Sequence, residues 1–190
     1  MNEKAWAAIA VVAIAVAAAA VAYCILDDDG DDGTVSVGLK DGFEVGDYVV
    51  KVTTATSSAE GSVAEVTSVV SYVVTAVGED GMLSVIEGWE SGERSVATYG
   101  TQAFLETTIV ADEEYIHRYY TVLSTEEVTL STDQGDVLCT LYNLDDGYYT
   151  WAVYCDRSSG IFIKADSWYE YEGVTYTSTV MFYSSLIVYS

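Results

Sequence analysis

SVAEVTSVVSYVVTAVGEDGMLSVIEGW, Ser62 to Trp89, is the stretch that decides the fold class. From Ser62 to Val77 it is built of Val, Thr, Ser, Ala and Tyr with a single Glu, residue types that suit a pleated, half-buried strand. Ala64, Val66, Val70, Tyr72, Val74 and Ala76 fall on one face at the two-residue period. GEDG, Gly78 to Gly81, is a turn by composition, so Met82 to Trp89 runs back as the second arm of a hairpin. Working outward, GDYVVKVTTATS (Gly46 to Ser57) supplies a strand before the hairpin, and ESGE (Glu90 to Glu93) turns the chain into Arg94 to Tyr99. Further strands are expected over Phe104–Val110, Glu114–Leu123, Glu126–Ser131, Asp136–Asn143, Tyr148–Cys155, Ile161–Asp166 and Val174–Tyr189. The segments 57–65 and 99–105 fit either a strand or a short helix, and no amphipathic helix of domain length follows Gly38. About ten strands with short connections imply an all-β domain, a curved antiparallel sheet forming a half-barrel or barrel, with a sandwich as the other arrangement.

A different texture precedes this domain. Ala5 to Leu26 is uncharged for 22 residues, long enough as a helix to cross a hydrocarbon core of about 30 Å. Trp6 and Tyr23 sit where interfacial aromatics would, and Lys4 before the run with aspartates after it favours a cytoplasmic N-terminus. The expected division is therefore a cytoplasmic tip (1–4), a transmembrane signal anchor (5–26), an acidic spacer (27–42) and an extracytoplasmic β domain (43–190) of a single-pass cell-membrane protein. Cleavage as a signal peptide and lipidation at Cys24 are the competing readings. Against lipidation, the bulky Tyr23 stands where a lipobox wants Gly or Ala. DDDGDDG, Asp27 to Gly33, fails as an EF-hand loop because Asp32 and Gly38 occupy the positions that need Gly and Glu.

Seven Lys and Arg against 30 Asp and Glu give a formal net charge of −23, which repels phosphate backbones and excludes nucleic acid as a partner class. Three Cys and one His cannot assemble a four-ligand zinc site from separate clusters, and no phosphate loop, nucleophile elbow or H-E-x-x-H helix is present. No metal, cofactor or catalytic residue is assigned. Two minor candidates for chemistry are His117, read as a strand histidine, and the Glu170/Glu172 pair, which would share a face if extended and is the basis of a glycoside hydrolase-like alternative.

VLCTLYNLDDGYYTWAVYC, Val137 to Cys155, reads as a second hairpin around Asp146-Gly147. A turn centred on Gly147 sets Cys139 opposite Cys155, at the Cβ spacing of about 3.5–4.5 Å that a disulfide requires. A disulfide is the leading reading, ahead of two buried free thiols, with thiol catalysis last.

GDYVVKVT, then QGDVLCTLYN, then WAVYCDRSSGIFIKAD (Trp151 to Asp166) resembles a recurring three-part pattern of small exported prokaryotic, especially archaeal, proteins. Tyr154-Cys155-Asp156, Ser159-Gly160 and Ile161 to Lys164 fill the places of its strand end, its turn and its Ile-x-x-Lys. Such proteins are similar to the lipoprotein-carrier clamp family, a resemblance that covers about half of the chain. It implies a curved antiparallel sheet around an apolar groove and no catalytic residues.

The function expected from these features is a cell-surface binding module for an apolar or aromatic ligand, or for an envelope protein. Tyr149, Trp151, Trp168 and Tyr171 are its ligand-contact candidates, because aromatic surfaces with polar handles suit recognition. The structural alternative is a surface-layer or pilin-like filament component whose N-terminal helix packs against its copies.

Overall fold

The computed structural model describes residues 34–59, 62–110 and 113–190. Among the described residues the elements in order are β1 (Thr34–Val35), β2 (Val37–Leu39), β3 (Tyr48–Ala59), β4 (Ser62–Val77), β5 (Met82–Trp89), β6 (Arg94–Gly100), α1 (Thr101–Thr108), α2 (Glu113–Tyr119), β7 (Thr121–Thr132), β8 (Gly135–Asp145), β9 (Thr150–Asp156), β10 (Phe162–Tyr171), β11 (Val174–Ser184) and β12 (Ile187–Tyr189). The main sheet runs β8-β9-β10-β11-β3-β4-β5-β6, with β7 on the outer side of β8 and β1 touching β8 in parallel at its start. It is a curved, mainly antiparallel sheet, as the expected all-β class requires. The hairpin 62–89 has the expected bounds. Its inward row is broken at Thr75, where the register between Val74 and Ala76 shifts by one residue.

Two expected strands are helices. Phe104–Val110 falls largely in α1 and Glu114–Leu123 largely in α2, with the residues they bury at helical rather than strand spacing. Phe104 and Thr108, four apart, are both buried. Ile116 is buried, and Tyr120 packs against the same cluster four residues on. His117 and Arg118 sit in the last turn of α2, where cations complement the helix dipole. Both helices lie on one face of the sheet: Phe104 joins Val49, Val74, Leu83 and Val85 in one core cluster, and Ile116 joins Leu144, Val153, Ala165 and Val180 in another.

Among the described residues strand pairing starts at Thr34, within the stretch expected as spacer. β2 pairs with β12 as a small second sheet, tying the start of the described chain to its end. Val37, Ile187 and Tyr189 from these strands pack with Val137, Cys139, Ile161 and Ile163. The single-pass membrane localisation is corrected at this point: among the described residues no helix is long and apolar enough to cross a membrane. The run 5–26, Cys24 and the acidic residues 27–33 lie outside the described residues.

Asp47 holds the entry to β3. Its buried carboxylate accepts hydrogen bonds from Lys40 Nζ (2.6 Å), the Glu44 N–H (2.7 Å) and Ser185 Oγ (3.0 Å), joining both ends of the domain. Burial pushes this carboxyl upward, but the three donors outweigh it and hold it below its ordinary 3.8. A depressed carboxyl contributes stability above its unfolded pKa and loses it as pH falls through the folded one. Asp47→Asn is expected to cost about 2 kcal/mol at pH 7, by leaving Lys40 without its closest partner. The wild-type loss of stability below about pH 4 should also become shallower in this variant, as urea titrations across pH would show.

Candidate functional site

The site is built by strand pairing. On the helix-covered face, Trp151 of β9 stands opposite Ser167 of β10, Ser167 opposite Ser178 of β11, Ser178 opposite Ala55 of β3, and Ala55 opposite Val66 of β4. The next row outward is Tyr169, Tyr176, Ser57 and Ala64. Strands β3 and β4 carry these rows past the helices, and among the described residues no helix residue lines the cleft between them. Small residues in the middle of both rows, flanked by large rings on β9, β10 and β11, leave an open cleft of about 570 Å³.

Tyr149, Trp151, Tyr169 and Tyr176 form its aromatic wall. Tyr169 and Tyr176 stack at 4.5 Å with a 10° angle, Tyr149 meets Tyr169 edge-on at 4.7 Å, and Tyr149 lies 5.9 Å from Trp151. The Ser167 and Ser178 hydroxyls bond each other at 2.8 Å, so the floor presents little free polarity. Neither a carboxylate nor a basic side chain lines the cleft. A smaller space of about 180 Å³ continues beneath the helices, lined by Lys51, Tyr72, Glu106 and Ile116 and sharing Trp151 with the cleft.

Of the expected contact residues, Tyr149 and Trp151 line the cleft; Trp168 and Tyr171 do not. Trp168 pairs with Thr177 and Thr150, one residue out of phase with the inward set, and is 43% exposed on the other face. Tyr171 has the inward parity but sits at the hairpin end, 60% exposed and beyond the lining. Tyr169 and Tyr176 were not selected from the sequence as contacts. The shared parity of Ala165, Ser167 and Tyr169 is the signal that identifies Tyr169.

The loop Asp146–Tyr149 shapes the wall and displaces the cysteines. Asp146 accepts from the N–H groups of Tyr148 (2.9 Å) and Tyr149 (2.8 Å) and from the Trp151 indole N–H (2.9 Å). The connection therefore spans four residues between the paired Asp145 and Thr150, not a two-residue turn centred on Gly147. The pairing register shifts by one residue, and a one-residue slip exchanges faces. Cys139 stands opposite Asp156 and Cys155 opposite Thr140. The expected disulfide is corrected accordingly: both cysteines are free and buried, and they belong to different core clusters.

Burial, with Asp156 nearby, pushes the Cys139 thiol up to about 11; burial, with Cys139 and Asp156 nearby, pushes Cys155 up to about 12. Thiolate is the reactive form, so both should be inert in the folded state. At pH 8 a maleimide is expected to leave the peptide bearing Cys139 and Cys155 unmodified until denaturant is added, as peptide mass mapping would show.

The other candidates disperse. His117 lies exposed on α2 instead of on a strand. Glu172, at φ 50°, sits with Gly173 in the two-residue turn between the paired Tyr171 and Val174, so it does not share an extended face with Glu170. Among the described residues no three His, Cys, Asp or Glu side chains gather as a metal site.

No protein-family model matches the chain, and no curated protein does either. Among solved structures it is weakly similar to an outer membrane lipoprotein-sorting protein domain from Vibrio parahaemolyticus, at 10% identity over 77% of this chain and 86% of that one, with a TM-score of 0.24. It is also weakly similar to a DUF1329 family protein from Desulfovibrio piger, at 8% identity over 77% and 87% of the two chains, with a TM-score of 0.21. The functional reading rests on the cleft itself.

Proposed function

We propose that the β domain is a binding module whose cleft takes a small ligand with an apolar or aromatic body. The observation that carries this reading is the cleft of about 570 Å³ between an aromatic wall and a small-residue floor, within the roughly 300–1,000 Å³ of ligand sites. A filled inner face would have favoured a purely structural protein. Burial of apolar ligand surface supplies the driving force, and flat rings orient it.

The test is titration of the domain with a neutral fluorescent apolar dye such as Nile red. Saturable enhancement is expected for the wild type, and Ala55→Phe, which places a ring in the open floor, should weaken it by about tenfold with little change in thermal midpoint. Non-saturable or equal signals from both proteins would refute the binding module. One observation favours the assembly alternative, namely that β6 and β7 end the sheet with Val96 and Leu123 exposed. Concentration-dependent sedimentation abolished by Val96→Lys would support that reading.

A further inference from the structure

We infer that the preferred occupant of this cleft is an organic cation, a quaternary or protonated amine carried on an apolar body. The inference rests on the binding-module reading and adds the sign of the ligand's charge. Three features converge on it. Four aromatic side chains, Tyr149, Trp151, Tyr169 and Tyr176, are gathered along one wall, and aromatic faces attract cations through their quadrupole. The indole N–H of Trp151 donates to Asp146 Oδ2 at 2.9 Å, so a carboxylate is fixed at the ring edge, drawing electron density onto the indole face and adding a negative charge beside the wall. The wall and floor themselves hold no basic side chain, and the chain around them carries a formal charge of −23, a field that concentrates cations and repels anions.

Lys51 is the basic residue nearest along the inner face of β3. It precedes the inward-facing Thr53 by two residues and lines the smaller space beneath the helices, with Glu106 in the same lining. Thr53 stands between it and Ala55 in the inward row, so a ligand seated between Tyr169 and Ala55 lies two inward positions away from Lys51.

The test compares two soluble isosteres, choline and 3,3-dimethyl-1-butanol, which differ in charge but hardly in shape, by NMR titration of the ¹⁵N-labelled domain in 0.5 M salt. At that ionic strength the general field of the protein is screened within about 4–5 Å, leaving the local contact. The expected result is that choline shifts the Trp151 indole N–H and the backbone amides of Tyr149, Tyr169 and Tyr176 with about tenfold higher affinity than the alcohol. Trp151→Leu should remove the preference, and where that variant disturbs the fold, Tyr176→Leu serves in its place. Equal affinities at the same resonances would overturn the cation assignment while leaving the binding module standing. Absence of shifts with both, together with no saturable dye binding, would remove the binding module itself; absence of shifts despite dye binding would overturn the cation assignment alone.

Discussion

Phe104→Ala is expected to lower the unfolding free energy by about 3–5 kcal/mol, the range for deleting a large buried aromatic and leaving the cavity unfilled. Phe104 is wholly buried at the centre of α1. Its ring is met edge-on by Phe43 at 5.8 Å, Tyr72 at 6.4 Å and Tyr99 at 5.8 Å, while Val49, Val74, Leu83 and Val85 complete the cluster around it. Tyr99 is itself fixed by donating its hydroxyl to Glu87, which together with burial raises the phenol to about 12. The surrounding strands are held by their ladders and cannot collapse into the space, which places the cost toward the upper part of the range. Urea denaturation should show a lower midpoint at unchanged slope. A loss under about 1 kcal/mol would mean that α1 is not seated on the sheet as described.

Asp156→Ala is expected to cost about 3 kcal/mol, with Asp156→Asn costing distinctly less. Asp156 is 4% exposed at the end of β9. One of its oxygens accepts from the Ser158 N–H (3.0 Å) and Oγ (2.7 Å) and from the Ser159 N–H (2.8 Å) and Oγ (2.8 Å). Those donors close the turn that sends the chain into β10, so losing the acceptor leaves them unpaired at the edge of the core. Asn keeps an oxygen where the four donors converge, so its own cost measures the part that depends on charge, and the difference between the two variants measures the part carried by a neutral acceptor. Should Ala and wild type unfold at the same urea concentration, the turn would be held by its backbone bonds alone, Gly160 N–H to Asp156 O and Asp156 N–H to Ile161 O.

This turn also explains why the Asp-x-x-Ser-Gly-Ile stretch was recognisable before any coordinates. Its residues act within six positions of one another, and a local hydrogen-bond pattern leaves a local sequence trace. The hairpin from Ser62 to Trp89 was legible for the same reason, since alternation and a Gly-rich turn are both short-range properties. The helices were legible only at one edge, where 99–105 fitted a short helix and α1 starts at Thr101. Around Phe104 and Ile116 the aromatic and β-branched content argues for strands, and helices of eight and seven residues are too short to be stable alone. Their conformation follows from burying Phe104 and Ile116 against a sheet whose members lie far away in the chain. The Cys139–Cys155 pairing failed for a related reason: the Asp146 carboxylate organises a four-residue loop, and a register that differs by one residue sends neighbouring side chains to opposite faces.

By itself the sequence determined the all-β class, the bounds of the hairpin from Ser62 to Trp89 and the strong acidity of the chain. It also put forward Tyr149 and Trp151, which line the cleft. Only the tertiary structure decided that these two join Tyr169 and Tyr176 across a floor of Ala55, Ser57 and Ala64, while Trp168 faces the other way. The pairing of β11 with β3, strands separated by most of the domain, brings wall and floor together. Side-chain alternation is set within each strand, but which rows meet depends on loop lengths and long-range pairing, and the cleft exists only where those rows align.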